Sequence, residues 1–95
     1  MSFTFTFADN GTSSAIKVDN YKGKGALFTF TAYYYGTFNS ATVKLQASAN
    51  NGTTYVDIPN SSSTSATVIN MEIRATHIRA VVSGGSSPSL TVAIL

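Results

Sequence analysis

Residues 2–7 read Ser-Phe-Thr-Phe-Thr-Phe. This period of two suits a strand, whose side chains return to one face at every second position, and not a helix, which needs 3.6. Phe3, Phe5 and Phe7 fall on one face, and Ser2, Thr4 and Thr6 on the other. The same period recurs along the chain. Over residues 26–35 it places Phe28, Phe30, Ala32 and Tyr34 on one side and Thr29, Thr31, Tyr33 and Tyr35 on the other, with Gly36 as the break. Residues 66–74 direct Ile69, Met71 and Ile73 inward, residues 77–83 Ile78, Ala80 and Val82, and residues 89–95 Leu90, Val92 and Ile94. Residues 14–18 form a weaker strand with Ile16 and Val18 as its apolar face.

Turn residues punctuate these runs. Asp9-Asn10-Gly11 ends the first strand. Gly23 and Gly25 mark a loop over residues 20–25, where Lys17, Lys22 and Lys24 gather as a solvated cluster. Asn51-Gly52 between two alternating runs is a strong hairpin signal. Set as a two-residue loop, it opposes Ala47 to Val56 and Leu45 to Ile58 on the apolar face, and Ser48 to Tyr55 and Gln46 to Asp57 on the polar face. A one-residue slip would oppose Leu45 to Asp57, so a loop of two or four residues is expected. Pairing Ile73 with Ile78 puts Glu72 opposite Arg79, and a five-residue loop over 84–88 opposes Val82 to Leu90, Ala80 to Val92 and Ile78 to Ile94. The polar stretch 59–65 reads as a flexible connection between sheets.

About eight short strands with turns every 8–12 residues predict an all-β fold, an antiparallel two-sheet sandwich or a jelly-roll-like relative, in a single domain over residues 1–95. Only 11% of the residues are charged, while Ser, Thr and Asn supply 33 of 95, so hydroxyls and amides keep the surface wet. No disulfide scaffold is possible without cysteine. No apolar run reaches membrane-span length or looks like an export signal, so a soluble chain is expected, with no membrane partner.

The inventory for chemistry is thin. His77 is the only histidine, no thiol exists and no serine sits in a nucleophile elbow, so no catalytic residue is expected. His77, flanked by Arg74 and Arg79, reads as a solvated strand residue. Asp9, Asp19, Asp57 and Glu72 are dispersed, which leaves a glycosidase-like pair open but gives no metal-ligand spacing; neither metal nor cofactor is expected. Six basic residues against four acidic ones make no stripe for nucleic acid, and Gly23-Lys24-Gly25 lacks the glycine spacing of a phosphate loop.

The aromatics suggest a partner instead. Tyr33 and Tyr35 leave the core face at the end of a strand, with Phe38 just beyond, in the manner of an interface or a sugar-stacking platform; the opposing reading is that a loop or sheet edge covers them. An uncharged Phe3/Phe5 strand likewise needs pairing, within the chain or by strand exchange with another copy. Phe3, Phe5, Tyr33, Tyr35 and Phe38 are therefore the candidate interface residues.

The hairpin Thr-Val-Lys-Leu-Gln-Ala-Ser (42–48) to Asn-Gly-Thr-Thr-Tyr-Val-Asp-Ile (51–58), then His-Ile-Arg-Ala-Val-Val-Ser-Gly (77–84) and a final Ser-Leu-Thr-Val strand, resembles small β-sandwich virion proteins of tailed bacteriophages, particularly capsid decoration or cement proteins. The resemblance covers roughly residues 41–95 and is a pattern of strands and turns. It implies a non-enzymatic homotrimer, made in the host cytoplasm, that binds the capsid exterior and clamps neighbouring major capsid protein subunits; a neck or tail component is a related possibility. The hairpin also resembles the Ser-x-Asp-Gly-x-Thr-Trp stretch of discoidin-like carbohydrate-binding jelly rolls, with Asn51 at the usual Asp and Tyr55 at the usual Trp, which implies a small glycan-binding or adhesin-like module as the alternative.

Overall fold

Alternation throughout the chain is satisfied by two antiparallel sheets that bury their apolar faces against each other. A computed structural model describes residues 2–20 and 26–95, apart from the side chain of Asp19. The first sheet, A, contains β1 (Phe3–Phe7), β4 (Phe28–Thr37), β7 (Thr67–Ile73) and β9 (Ser89–Ile94), in the order β1-β9-β4-β7. The second sheet, B, is built on β8 (His77–Ser83). On one side of it lie the two-residue strands β2 (Gly11–Thr12) and β3 (Ile16–Lys17), and on the other β5 (Thr42–Ser48) and then β6 (Val56–Asp57). A 3₁₀ turn, Val18–Asn20, follows β3. The two-sheet sandwich expected from the sequence is the observed fold, with nine strands in the described residues.

The core is the layer between the sheets. Phe28, Phe30, Ala32 and Tyr34 from β4, Leu90, Val92 and Ile94 from β9, Val43 and Leu45 from β5, and Ile78, Ala80 and Val82 from β8 are all buried in it. Ile16 and Val18 close its edge as the alternation predicts. Tyr34 carries its hydroxyl into this layer and donates to the Ser61 carbonyl at 2.7 Å, so neither polar group is orphaned.

The Asn51-Gly52 hairpin has the expected register, Gln46 opposite Asp57 and Ala47 opposite Val56. Both turn residues have positive φ, 60° and 82°, the type I′ geometry that matches strand twist. Val56 departs from the reading: β6 is a two-residue edge strand, and Val56 is exposed rather than inward. The loop read over residues 20–25 lies, beyond Asn20, outside the described residues, with Lys22 and Lys24.

Two hairpins expected from the sequence do not form. β7 pairs with β4 in sheet A and β8 pairs with β5 in sheet B, so Ile73 opposes Phe28, Glu72 opposes Thr29, and Arg79 opposes Gln46. β9 pairs with β1 and β4, not β8, so Leu90, Val92 and Ile94 meet the β8 side chains through the core instead of across a ladder. The reason is that alternation decides inside from outside and says nothing about which sheet receives a strand. The crossing segments are held in place. Ala75 is buried, and the Thr76 backbone donates to the Ser48 carbonyl and accepts from Val18. At the other crossing Asn10 exchanges two 2.9 Å bonds with the Gly85 backbone, and Ser86 donates to the Asn39 carbonyl.

Gly36 does not end its strand. β4 continues to Thr37, and Gly36 pairs with Leu90 at φ 120°, where a Cβ would lie 2.5 Å from the Ser89 carbonyl oxygen. Residues 59–65 do cross between the sheets, but they are tied down. The buried Ser61 hydroxyl is bonded to Leu45 and Ile58 backbone groups, and Ser63 exchanges both backbone bonds with Val43.

A candidate interaction face on the first sheet

The side of sheet A turned away from the core is assembled from the polar half of each alternation. Across the strands in order, Thr4 lies beside Ala93, Ala93 beside Tyr33, and Tyr33 beside Val68; the next row runs Thr6, Thr91, Tyr35. A third row joins Leu95 to Thr31 by paired 2.9 Å backbone bonds and Thr31 to Asn70, whose side-chain oxygen accepts from the Thr31 hydroxyl at 2.8 Å. Tyr33 (37% exposed), Tyr35 (49%), Val68 (56%) and Leu95 (55%) stand on this surface and are four of the six large apolar side chains exposed among the described residues. Glu72 is the one charged side chain that the four strands place there. A shallow depression of about 450 Å³, lined in part by Thr29, Thr31, Asn70, Glu72 and Leu95, lies at its Leu95 end.

The predicted interface residues therefore separate into two sets. Tyr33 and Tyr35 share the open face. Phe3, Phe5 and Phe38 are partly buried and pack against the chain's own core. Val68 and Leu95 complete the face and were missed by sequence reasoning. Their signal is only legible once β7 and the chain end are known to flank β4, since Val68 then falls opposite Tyr33 and Leu95 opposite Thr31.

The outer face of sheet B has a different character. Asp57 accepts from Gln46 Nε2 at 2.9 Å and from Lys44 Nζ at 3.0 Å, and those two bonds, Gln46 first, hold its carboxyl below the ordinary carboxylate range. Gln46 Oε1 in turn accepts from Arg79 Nε at 2.8 Å, and the Arg79 guanidinium sits 3.8 Å from the centre of the Tyr55 ring. The chain Lys44, Asp57, Gln46, Arg79, Tyr55 thus satisfies itself. His77 is half-buried beside it, and its Nδ1 is 3.1 Å from the Thr76 hydroxyl oxygen. The same hydroxyl lies 3.1 Å from the Ser48 carbonyl oxygen. Arg74, just before the crossing, lines a shallow 280 Å³ groove with Ser48, Asn50 and Val56.

Among the described side chains the carboxylates do not converge. Asp57 is on the outer face of sheet B and Glu72 on that of sheet A, on opposite sides of the sandwich, while Asp9 accepts from the Asn10 backbone in the β1–β2 turn. A glycosidase-like pair of Asp57 and Glu72 is therefore ruled out by geometry. Among the described residues no group of three or more His, Cys, Asp or Glu gathers as a metal would need. No helix among them is long and apolar enough to cross a membrane. Comparison of the chain with protein-family models, with curated proteins and with solved structures finds no match.

Proposed function

We propose that the protein is a non-enzymatic assembly module that docks on a larger protein lattice through the outer face of sheet A. Following the resemblance of its hairpin and last strands, that lattice is the exterior of a tailed-phage head, where the module acts as a cement or decoration protein on the major capsid protein. The observation that carries the reading is the gathering of Tyr33, Tyr35, Val68 and Leu95 on a face with one charge. Tyrosines at the centre of a weakly charged patch are the composition of protein interfaces, where the ring loses little conformational freedom and its hydroxyl finds a partner. Attachment at many equivalent lattice points would let modest individual contacts hold a shell against internal pressure.

Co-sedimentation with expanded heads of the encoding phage tests this. Wild-type chain travels with the heads, and Tyr33→Ala/Tyr35→Ala, which leaves the core untouched, loses most of that binding. Failure of the wild type to bind, or equal recovery of the variant, contradicts the reading. The alternative is a glycan-binding module. It is favoured by the two exposed tyrosines two residues apart on one strand, roughly 7 Å at strand rise, among threonine hydroxyls. Under that reading a soluble oligosaccharide binds the wild type and not the double variant, with no heads present.

A further inference from the structure

We propose that the outer edge of β1 pairs with β1 of a second copy about a two-fold axis at Phe5, joining two A sheets into one of eight strands. This inference concerns an edge, not the face considered above, and stands without it.

The backbone parity is set by the chain itself. Thr31 and Leu95 exchange both their backbone bonds, so Thr31, Tyr33, Tyr35 and Thr37 direct their N–H and C=O groups to β9, as do Leu95, Ala93, Thr91 and Ser89 to β4. Ile94, Val92 and Leu90 then bond to Phe3, Phe5 and Phe7. The N–H and C=O groups of Thr4 and Thr6 consequently point away from the sheet, and no described strand lies on that side of β1.

This edge has none of the usual protection. Edges are blunted by charged side chains, proline, a bulge or shortness. The other described edges carry such a feature: β2, β3 and β6 have two residues each, and β7 carries Glu72. β1 has five residues, no charge and no proline.

Its sequence also fits itself. Phe-Thr-Phe-Thr-Phe is a palindrome, so antiparallel pairing centred on Phe5 opposes phenylalanine to phenylalanine and threonine to threonine. Thr4 of one copy and Thr6 of the other form the hydrogen-bonded pair, and the axis repeats it, giving four N–H···O=C bonds. Phe5 meets its own copy as the close, non-bonded pair, about 4.5 Å between Cα atoms. Phe5, only partly buried in the single chain, is thereby covered by the same residue of its partner. The resulting assembly is two-fold, unlike the three-fold association that the resemblance implies.

Light scattering over a dilution series tests it on three chains. Wild type reaches twice the 10.0 kDa chain mass. Thr6→Pro removes an N–H that serves no bond within the chain and reduces the mass to one chain. Should proline disturb folding, Thr4→Lys/Thr6→Lys keeps the test: its side chains stand on the exposed face, each opposes another lysine across the axis, and the mass again halves while the thermal melt stays cooperative. A wild-type mass of one chain at the highest soluble concentration overturns the proposal. So does a three-chain mass, or a dimer that survives the lysine variant.

Discussion

Tyr34 sits between two exposed tyrosines in sequence and shares nothing with them in environment. Strand parity turns it into the core, where burial pushes its phenol far above the ordinary tyrosine range. The folded chain keeps a proton there that the unfolded chain releases above pH about 10, so this contribution to stability is complete below that pH and is lost as the pH rises. Tyr34→Phe strands the Ser61 carbonyl and costs about 1–2 kcal/mol at neutral pH. It also flattens the alkaline fall in stability, which denaturant melts of both chains between pH about 8 and 11 would reveal. At Gly36 the limit is steric. An alanine must hold φ 120° and displace the Ser89 carbonyl oxygen from 2.5 Å, so Gly36→Ala costs about 1–3 kcal/mol and lowers the melting temperature by roughly 5–20 °C. Differential scanning calorimetry reads that shift directly. The inward position of Tyr34 was legible in the sequence. The constraint at Gly36 was not, because a glycine that ends a strand and one that admits a close neighbour look alike until β9 is known to lie alongside.

Among the elements, the Asn51-Gly52 hairpin was readable because its two halves carry different chemistry on each face and only one register keeps both consistent. The strands β7, β8 and β9 lacked such a device. Ile73, Ile78, Val82 and Leu90 are interchangeable apolar residues, and a hairpin or a crossing between sheets buries them equally well. The deciding features were the short crossings, where Thr76 bonds to Ser48 and Val18, and Asn10 to Gly85, parts of the chain that sequence reading could not place nearby. The same misplacement hid the real partners of Arg79. Its stacking on Tyr55 predicts a coupling energy of about 0.5–1 kcal/mol in a double-mutant cycle of Arg79→Ala and Tyr55→Ala. A Glu72→Ala and Arg79→Ala cycle should give none, because the two residues lie on different sheets.

As a whole the molecule divides its two outer surfaces by chemistry. On sheet B Lys44, Asp57, Gln46 and Arg79 are occupied with one another, whereas sheet A offers tyrosine, valine, leucine and threonine with little charge. The sequence reading found the tyrosines of that second surface and also named Phe3, Phe5 and Phe38. The structure packs those three against the core, leaving β1 to act through its backbone edge. The face around Tyr33 and Tyr35 is the proposed working surface, and the run Tyr33-Tyr34-Tyr35 supplies its own control. Hydroxyl-radical footprinting of the chain, free and bound to phage heads, measures it most directly. In the free chain Tyr33 and Tyr35 are modified and Tyr34 is protected; on the heads, modification of Tyr33 and Tyr35 falls several-fold while Tyr34 is unchanged. Bound chain in which Tyr33 and Tyr35 react as fast as in the free chain would rule out this face as the docking surface.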